Sequence, residues 1–453
     1  MAVVIDLGFM DLNSAAESVT LSSGIIFSGA IEPQKVEKAC AVLRKAWPIL
    51  GAHLRRNQET SKIEAVIPDP ANAELKATCL VLNGKLEEHE SLYTRTSTIS
   101  TQFVPRNESL YREQPLKTLE AYIASGDPAF ALHLAYLSDA TIFTLTIAHI
   151  LMDASGFTEV VKAFKLALDG EPIPPLLDHD PWATLLPEAL RSPSDPDASK
   201  GWTVWNLESS LASRRAEEKD TQVDGPIQSR TIYFPVLEIA RLKREAAEDL
   251  RKLGYEVPRL STTDIVGAWL YKHTFVDAPE SEEKSNFIYV VDARNRFLEA
   301  FRPGYAYLHN AFFNMTTDQI TDSQLHSMSL GEVARMIRLS VTKYTAREPL
   351  LSQLKWKHEH CGHTQIPFSP GDRMQFASSW LSFRLGDLSI AKHIKPGTGS
   401  GQVLDVFYNI RGSARCTSAI KFKDVDGGIV CDMDWGARRW VSGEMAKFAI
   451  ELT

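Results

Sequence analysis

The residues best suited to chemistry in this 453-residue chain are His149 and Asp153, in the stretch Ile147-Ala148-His149-Ile150-Leu151-Met152-Asp153-Ala154-Ser155-Gly156. An imidazole with an ordinary pKa of about 6.5 is largely neutral near pH 7, so it can take the proton of an attacking hydroxyl. The carboxylate four residues on reads in two ways: it could orient the imidazole, or it could cap the helix that follows. A His and an Asp at this spacing also occur by chance, and a histidine beside apolar residues is commonly a satisfied core group. Their surroundings therefore matter more than the pair.

The run Thr141-Ile142-Phe143-Thr144-Leu145-Thr146-Ile147 is β-branched and aromatic and predicts a buried strand. After His149, Phe157, Val160, Val161, Phe164 and Leu168 fall at helical spacing, with Asp153 or Ser155 available as the N-cap. The imidazole thus sits where a strand turns into a helix, anchored by its backbone and free to face a cleft. Ala129 to Leu137 predicts a preceding strand joined by a hairpin turn at Ser138-Asp139-Ala140, and Gly24 to Phe27 a further strand. Val36, Cys40, Leu43, Trp47 and Leu50 mark a helix beginning near Pro33. Later in the chain, Arg230 to Phe234 predicts a strand and Leu237 to Lys252 a charged helix. Ser261-Thr262-Thr263-Asp264 caps an apolar helix, and Ser329 with Glu332 forms a capping box.

Strands and helices mix without a strict βαβ rhythm, which favours an α/β sandwich with mixed sheets. The length implies two domains, 1–190 and 226–453, around a polar, proline-bearing crossover at 191–225. Forty-four per cent hydrophobic and 23% charged residues suit a globular protein with large cores, and a net charge of −8 argues against a nucleic-acid partner. No apolar run is long enough for a membrane span, and the first residues lack a signal-peptide pattern. Five scattered cysteines without CxxC spacing suggest reduced thiols and a cytoplasmic setting.

Other constellations are weaker. His358-Glu359-His360-Cys361-Gly362-His363 crowds metal-ligand types together, yet Gly362 stands where an HExxH motif needs its second His, so no metal site is expected. Gly397-Thr398-Gly399-Ser400-Gly401 lacks the Gly-Lys-Ser/Thr end of a P-loop and reads as a flexible loop between strands. No GxSxG elbow and no Cys–His signature is present, so catalysis through a covalent enzyme intermediate is not suggested.

Taken together, several segments resemble the BAHD acyltransferases, within the superfamily of chloramphenicol acetyltransferase-like folds. His149-x-x-x-Asp153-x-x-Gly156 is similar to the family's active-site motif. Asp292-Ala293-Arg294-Asn295-Arg296, followed by His309-Asn310-Ala311, resembles its Asp-x-Arg-x-Arg and Gly-Asn-Ala segments. Ser378-Ser379-Trp380 is similar to the Ser-Trp step before its Asp-Phe-Gly-Trp-Gly motif, with supporting matches at Ala46 to Leu54 and Asp426-Gly427-Gly428. The chain departs from the plant pattern at Gly386-Asp387-Leu388-Ser389-Ile390, at His309 and at Ala154, which suggests a divergent branch like the fungal trichothecene acetyltransferases.

The resemblance implies two similar α/β domains with the site in a tunnel between them, and no tightly bound cofactor. Acyl-CoA would be co-substrate, a small hydroxylated secondary metabolite the acceptor, and His149 the general base in a ternary complex. It implies that Asp153 turns away from the imidazole to pair with Arg294, with Gly156 and Asp387 as further structural support. Ser378, Trp380 and Asn310 become candidates for substrate or oxyanion contact. Ser261 and Thr262, at a helix N-terminus that favours phosphate, become candidates for coenzyme A contact. A monomer is expected. The alternative is a condensation-type or polyketide-releasing enzyme that draws its acyl group from a carrier protein and uses the same His.

Overall fold

The computed structural model describes residues 2–12, 19–69, 75–114, 116–193, 202–275, 281–366, 368–369, 371–410 and 415–450. The expected hairpin forms: Phe130–Tyr136 pairs antiparallel with Ala140–Ala148, from Tyr136 opposite Thr141 to Phe130 opposite Ile147. Ala140–Ala148 is buried along all nine residues, because the sheet is covered on both faces at its centre. Thr20–Ser28 lies on its other side, and Lys76–Val81 extends the sheet parallel to Phe130–Tyr136. Helices Pro33–Ala46 and Ala154–Asp169 cover this sheet, burying Val36, Leu43, Phe157, Val160 and Phe164 against Phe143 and Leu145. Each such side chain, fully removed from water, stabilises by about 1.5–3 kcal/mol. The first helix is shorter than its apolar spacing predicts. It stops at Ala46 because Pro48 disfavours helical geometry at Trp47, and Leu50 falls in a following 3-10 turn.

A second, nine-stranded mixed sheet holds the rest of the site. Its main path runs Phe312–Thr316, Lys284–Asp292, Arg373–Ser379, Thr417–Lys423, Ile429–Gly436, Ile227–Phe234, Ser100–Gln102 and Ala449–Ile450. Helices Val236–Lys252, Thr262–Phe275 and Leu330–Tyr344 pack into one core with it, through Leu242, Ala246, Ile265, Trp269, Val333 and Ile337 against Ile232, Phe234 and Phe287. The Ser329–Glu332 capping box is present at the start of the last of these.

The two sheets are not two contiguous halves of the chain. Val403–Ile410 leaves the second half to become the edge strand of the first sheet, antiparallel to Thr20–Ser28, while Ser100–Gln102 crosses the other way to pair with Ile227–Phe234. A division at 191–225 therefore separates the chain but not the layers. Residues 194–201 of that crossover lie outside the described residues. Beyond them the expected polar linker is structured: Thr203–Trp205 pairs with Thr364–Ile366, and Asn206 caps the helix Leu207–Asp224.

Candidate active site

His149 opens a 3-10 turn, His149–Leu151, directly after the buried strand, and its N–H donates to the Val19 carbonyl at 3.0 Å. Met152 is extended, and Asp153 then caps Ala154–Asp169 by accepting the Gly156 N–H at 2.9 Å. A Cβ at Gly156 would lie 2.2 Å from the Leu308 carbonyl oxygen, so only glycine lets this helix start approach the 307–311 segment.

Asp153 does not bond the imidazole. Its carboxylate accepts from Gly156 N–H, from Ala311 N–H at 2.9 Å, and from Arg294 through Nη2 at 2.9 Å and Nη1 at 3.1 Å. Arg294 spends its remaining donors on the carbonyls of Tyr307 and His309 and on Asp292 Oδ1. Burial works against the guanidinium charge, but Asp153 and Asp292 outweigh it and hold the pKa above the ordinary arginine value. The strand-to-helix turn is thus bolted to the connection between Lys284–Asp292 and Phe312–Thr316 of the second sheet.

Asn310 is placed differently from the expectation that it contacts substrate. It is fully buried behind the turn, where Nδ2 donates to the carbonyls of His149 (3.0 Å) and Ile150 (3.3 Å) and to Asp11 Oδ1 (2.9 Å). Asp11 was invisible to motif reading, since it lies almost 300 residues away in sequence. Burial raises its pKa, against the lowering influence of His309 and Asn310.

The His149 ring forms part of the wall of a cavity of about 690 Å³ at the junction of the two sheets. Burial lowers its pKa from the ordinary value, and the neighbouring carbonyl, Asp153, Asn310 and Asp11 only partly oppose this. Nδ1 is buried without a hydrogen-bond partner, and Phe312 meets the ring edge-on at 5.9 Å. Ser378 and Trp380 reach the same cavity, with Trp380 Nε1–H donating to Ser378 Oγ at 3.2 Å. The Ser378 hydroxyl keeps its own proton to donate. The Trp380 ring contacts Phe157, from the helix Ala154–Asp169, and Tyr408, from the strand Val403–Ile410.

Of the helix-capping pair, Ser261 lines the cavity, while Thr262 turns away and accepts from Lys243 Nζ at 2.9 Å. Thr263 takes the place expected of Thr262 and pairs with Ser379 Oγ at 3.0 Å. Ser261 is itself engaged by Asp264 and Arg338, the latter a cavity residue that no motif marked. Asp387 lies outside the cavity, exposed and paired with Arg384 at 2.5 Å, so it supports no residue of the His149 turn directly. Its neighbour Gly386 packs so closely that a Cβ would sit 1.9 Å from the Lys423 carbonyl, which makes the segment a buttress for Thr417–Lys423. The glycine loop at 397–401 packs on Ser28 and Gly29 and does not reach the His149 cavity. His358 and Glu359 belong to the helix Arg347–Glu359, and among the described residues no cluster of three His, Cys, Asp or Glu could hold a metal ion. Nor is any described helix long and apolar enough to cross a membrane.

The profile described as Transferase family matches residues 107–391, more than half of the chain. The chain belongs to that family and is an acyltransferase of BAHD type. Acetyltransferase pyiB of Pyricularia grisea is 25% identical over 421 residues, covering 85% of this chain and 79% of the relative. The fold matches Fusarium graminearum TRI101, solved with coenzyme A and T-2 mycotoxin, at a TM-score of 0.71 and 14% identity over 98% of both chains. It also matches vinorine synthase at a TM-score of 0.60 and 12% identity, over 98% of this chain and 92% of that one.

Proposed function

We propose that this protein transfers an acyl group from a coenzyme A thioester to a hydroxyl of a small secondary metabolite, with His149 as the general base. One observation carries the reading: a histidine with lowered pKa faces a cavity at the sheet junction, while Asp153, Arg294 and the Asn310 amide nitrogen fix the turn behind it. Its buried Nδ1 leaves Nε2 as the atom for chemistry. Nε2 takes the acceptor proton as the oxygen attacks the thioester carbonyl. The tetrahedral oxyanion is met by the Ser378 hydroxyl, and collapse expels the coenzyme A thiolate, which receives the proton from the imidazolium. A thiol of pKa about 8.5 is a good leaving group, so no covalent enzyme intermediate is required. Asp153, Arg294, Gly156 and Asn310 act as positioning residues.

Ser261, Thr263 and Arg338 are the candidates for coenzyme A, in keeping with the coenzyme bound in TRI101. A monomer in a cytoplasmic setting is part of this reading, the setting because the five cysteines are scattered without CxxC spacing. The test is release of free thiol from acetyl-CoA and longer acyl-CoAs in the presence of a panel of hydroxylated terpenoids and polyketides, with the acylated product identified by mass. His149→Ala should abolish both signals with folding intact. Retention of transfer by that variant, or transfer only from a carrier-protein thioester, sinks the reading.

A further inference from the structure

Lys357 projects from the helix Arg347–Glu359 into the cavity that holds His149. It is 2% exposed, and among the described residues no carboxylate pairs with it. Its ammonium lies over aromatic faces instead, 4.2 Å from the Trp202 ring centre and 5.8 Å from that of Phe312, the ring that also contacts His149. Such faces attract a cation without neutralising it. The acids in the same wall are committed elsewhere: Asp153 and Asp292 to Arg294, Asp264 to Arg338. Arg296 is exposed at the rim. Two further cavity groups are incomplete, since Asn314 Oδ1 and Gln365 Oε1 are buried without partners, and Gln365 Nε2 is fixed by the Lys357 and His360 carbonyls. A buried lysine without an acid partner, in the same wall as two lone acceptors, leaves an anion and two hydrogen-bond donors to be supplied by whatever fills the space.

We propose that Lys357 recognises an oxyanion on the acceptor, a carboxylate or an ionised phenol or enol, so that the acceptor is an acidic hydroxy compound whose ring body lies against Trp202 and Phe312. The inference rests on the acyl-transfer reading for the word acceptor, but not for the binding itself. Burial alone brings the Lys357 pKa down to about 7 in the unliganded protein. Lys357 is then largely neutral near pH 8, and arrival of an anion draws one proton from solvent to restore the ammonium.

The probes are 2-naphthoate and its methyl ester, titrated by calorimetry into the full chain near pH 8 in Tris and in HEPES. These buffers differ in ionisation enthalpy, so the difference in heats counts the protons taken up. Naphthoate should bind at least tenfold more tightly than the ester, with uptake approaching one proton. Lys357→Met should erase both the preference and the uptake. Lys357→Arg, always charged, should keep the preference and lose the uptake. Naphthoate binding no tighter than the ester, or a preference that survives in Lys357→Met, overturns the proposal. So does a loss of coenzyme A affinity in Lys357→Met together with competition between naphthoate and coenzyme A, which would assign the lysine to the donor's phosphates. Thiol release is measured separately, so failure of the acyl-transfer reading leaves these titrations interpretable.

Discussion

At the scale of single residues, the proposed base is an imidazole whose pKa burial lowers, with the Ser378 hydroxyl in the same cavity wall. Replacing His149 by Ala should lower kcat by about 10² to 10⁴-fold while leaving the melting temperature nearly unchanged, because the turn is held by backbone groups and by Asp153 and Asn310. The pH dependence has a definite sign. Burial lowers the His149 pKa below its ordinary 6.5, and only the unprotonated ring accepts a proton. The acid limb of kcat/KM should therefore lie below pH 6.5; an acid limb centred above 7 contradicts the assignment. Ser378→Ala should reduce kcat by about 10²-fold with little effect on the KM for acyl-CoA, if its hydroxyl meets the oxyanion rather than the ground state. The places of His149, at a strand-to-helix turn, and of Ser378, near the end of the strand Arg373–Ser379, in one cavity wall were suggested by short motifs in the sequence. Lys357 was not. Among Lys355, Lys357 and His358 it reads as one more charge on a solvated helix face. The available signal was spacing: Leu350, Leu354 and Lys357 continue one buried stripe at intervals of four and three.

At the scale of elements, the decisive device is the clamp that fixes the strand-to-helix turn to the second sheet. Asp153 accepts from four donors and Arg294 donates along every N–H direction it has, with both side chains nearly buried. Asp153→Ala should destabilise the fold by about 3–5 kcal/mol in urea titration, since Arg294 is left as a stranded charge. A double mutant with Arg294→Met should recover part of that loss, which two independent sites could not do. Gly156→Ala tests the same joint sterically and should lower stability by at least about 1–3 kcal/mol. Local elements were readable because their signals are local: the hairpin at Ser138-Asp139-Ala140, the Asp153 cap and the Ser329–Glu332 box all lie within a few residues of what they fix. Asn310 was misread for the opposite reason. Its partners, Asp11 and the His149 carbonyl, are brought to it by tertiary folding, and a short motif cannot say which way an amide points.

At the scale of the whole molecule, the exchange of strands decides what counts as a folding unit. Val403–Ile410 covers the edge of Thr20–Ser28 and carries Asp405, fully buried between Lys421 at 3.1 Å and Arg106 at 2.6 Å. Arg106 comes from the first half of the chain and Lys421 from the second sheet, so one carboxylate joins both layers. Burial pushes the Asp405 pKa up, yet Lys421 and Arg106 outweigh it and hold the pKa below the usual carboxylate value. The stability this contributes is complete above about pH 4 and disappears only as pH falls through the depressed folded value. Sequence pattern could identify Val403–Ile410 as apolar but not assign it to the first sheet, because strand pairing across hundreds of residues leaves no local mark. The physical consequence is that residues 1–190 cannot complete their own sheet. Expressed alone, that fragment exposes the backbone edge of Thr20–Ser28 and leaves Arg106 without Asp405. It should aggregate or unfold without a cooperative transition in thermal circular dichroism. Addition of the 191–453 fragment during refolding should restore a single sharp transition and acyl transfer together. A cooperative melt of 1–190 by itself would show instead that the first sheet closes without its borrowed strand.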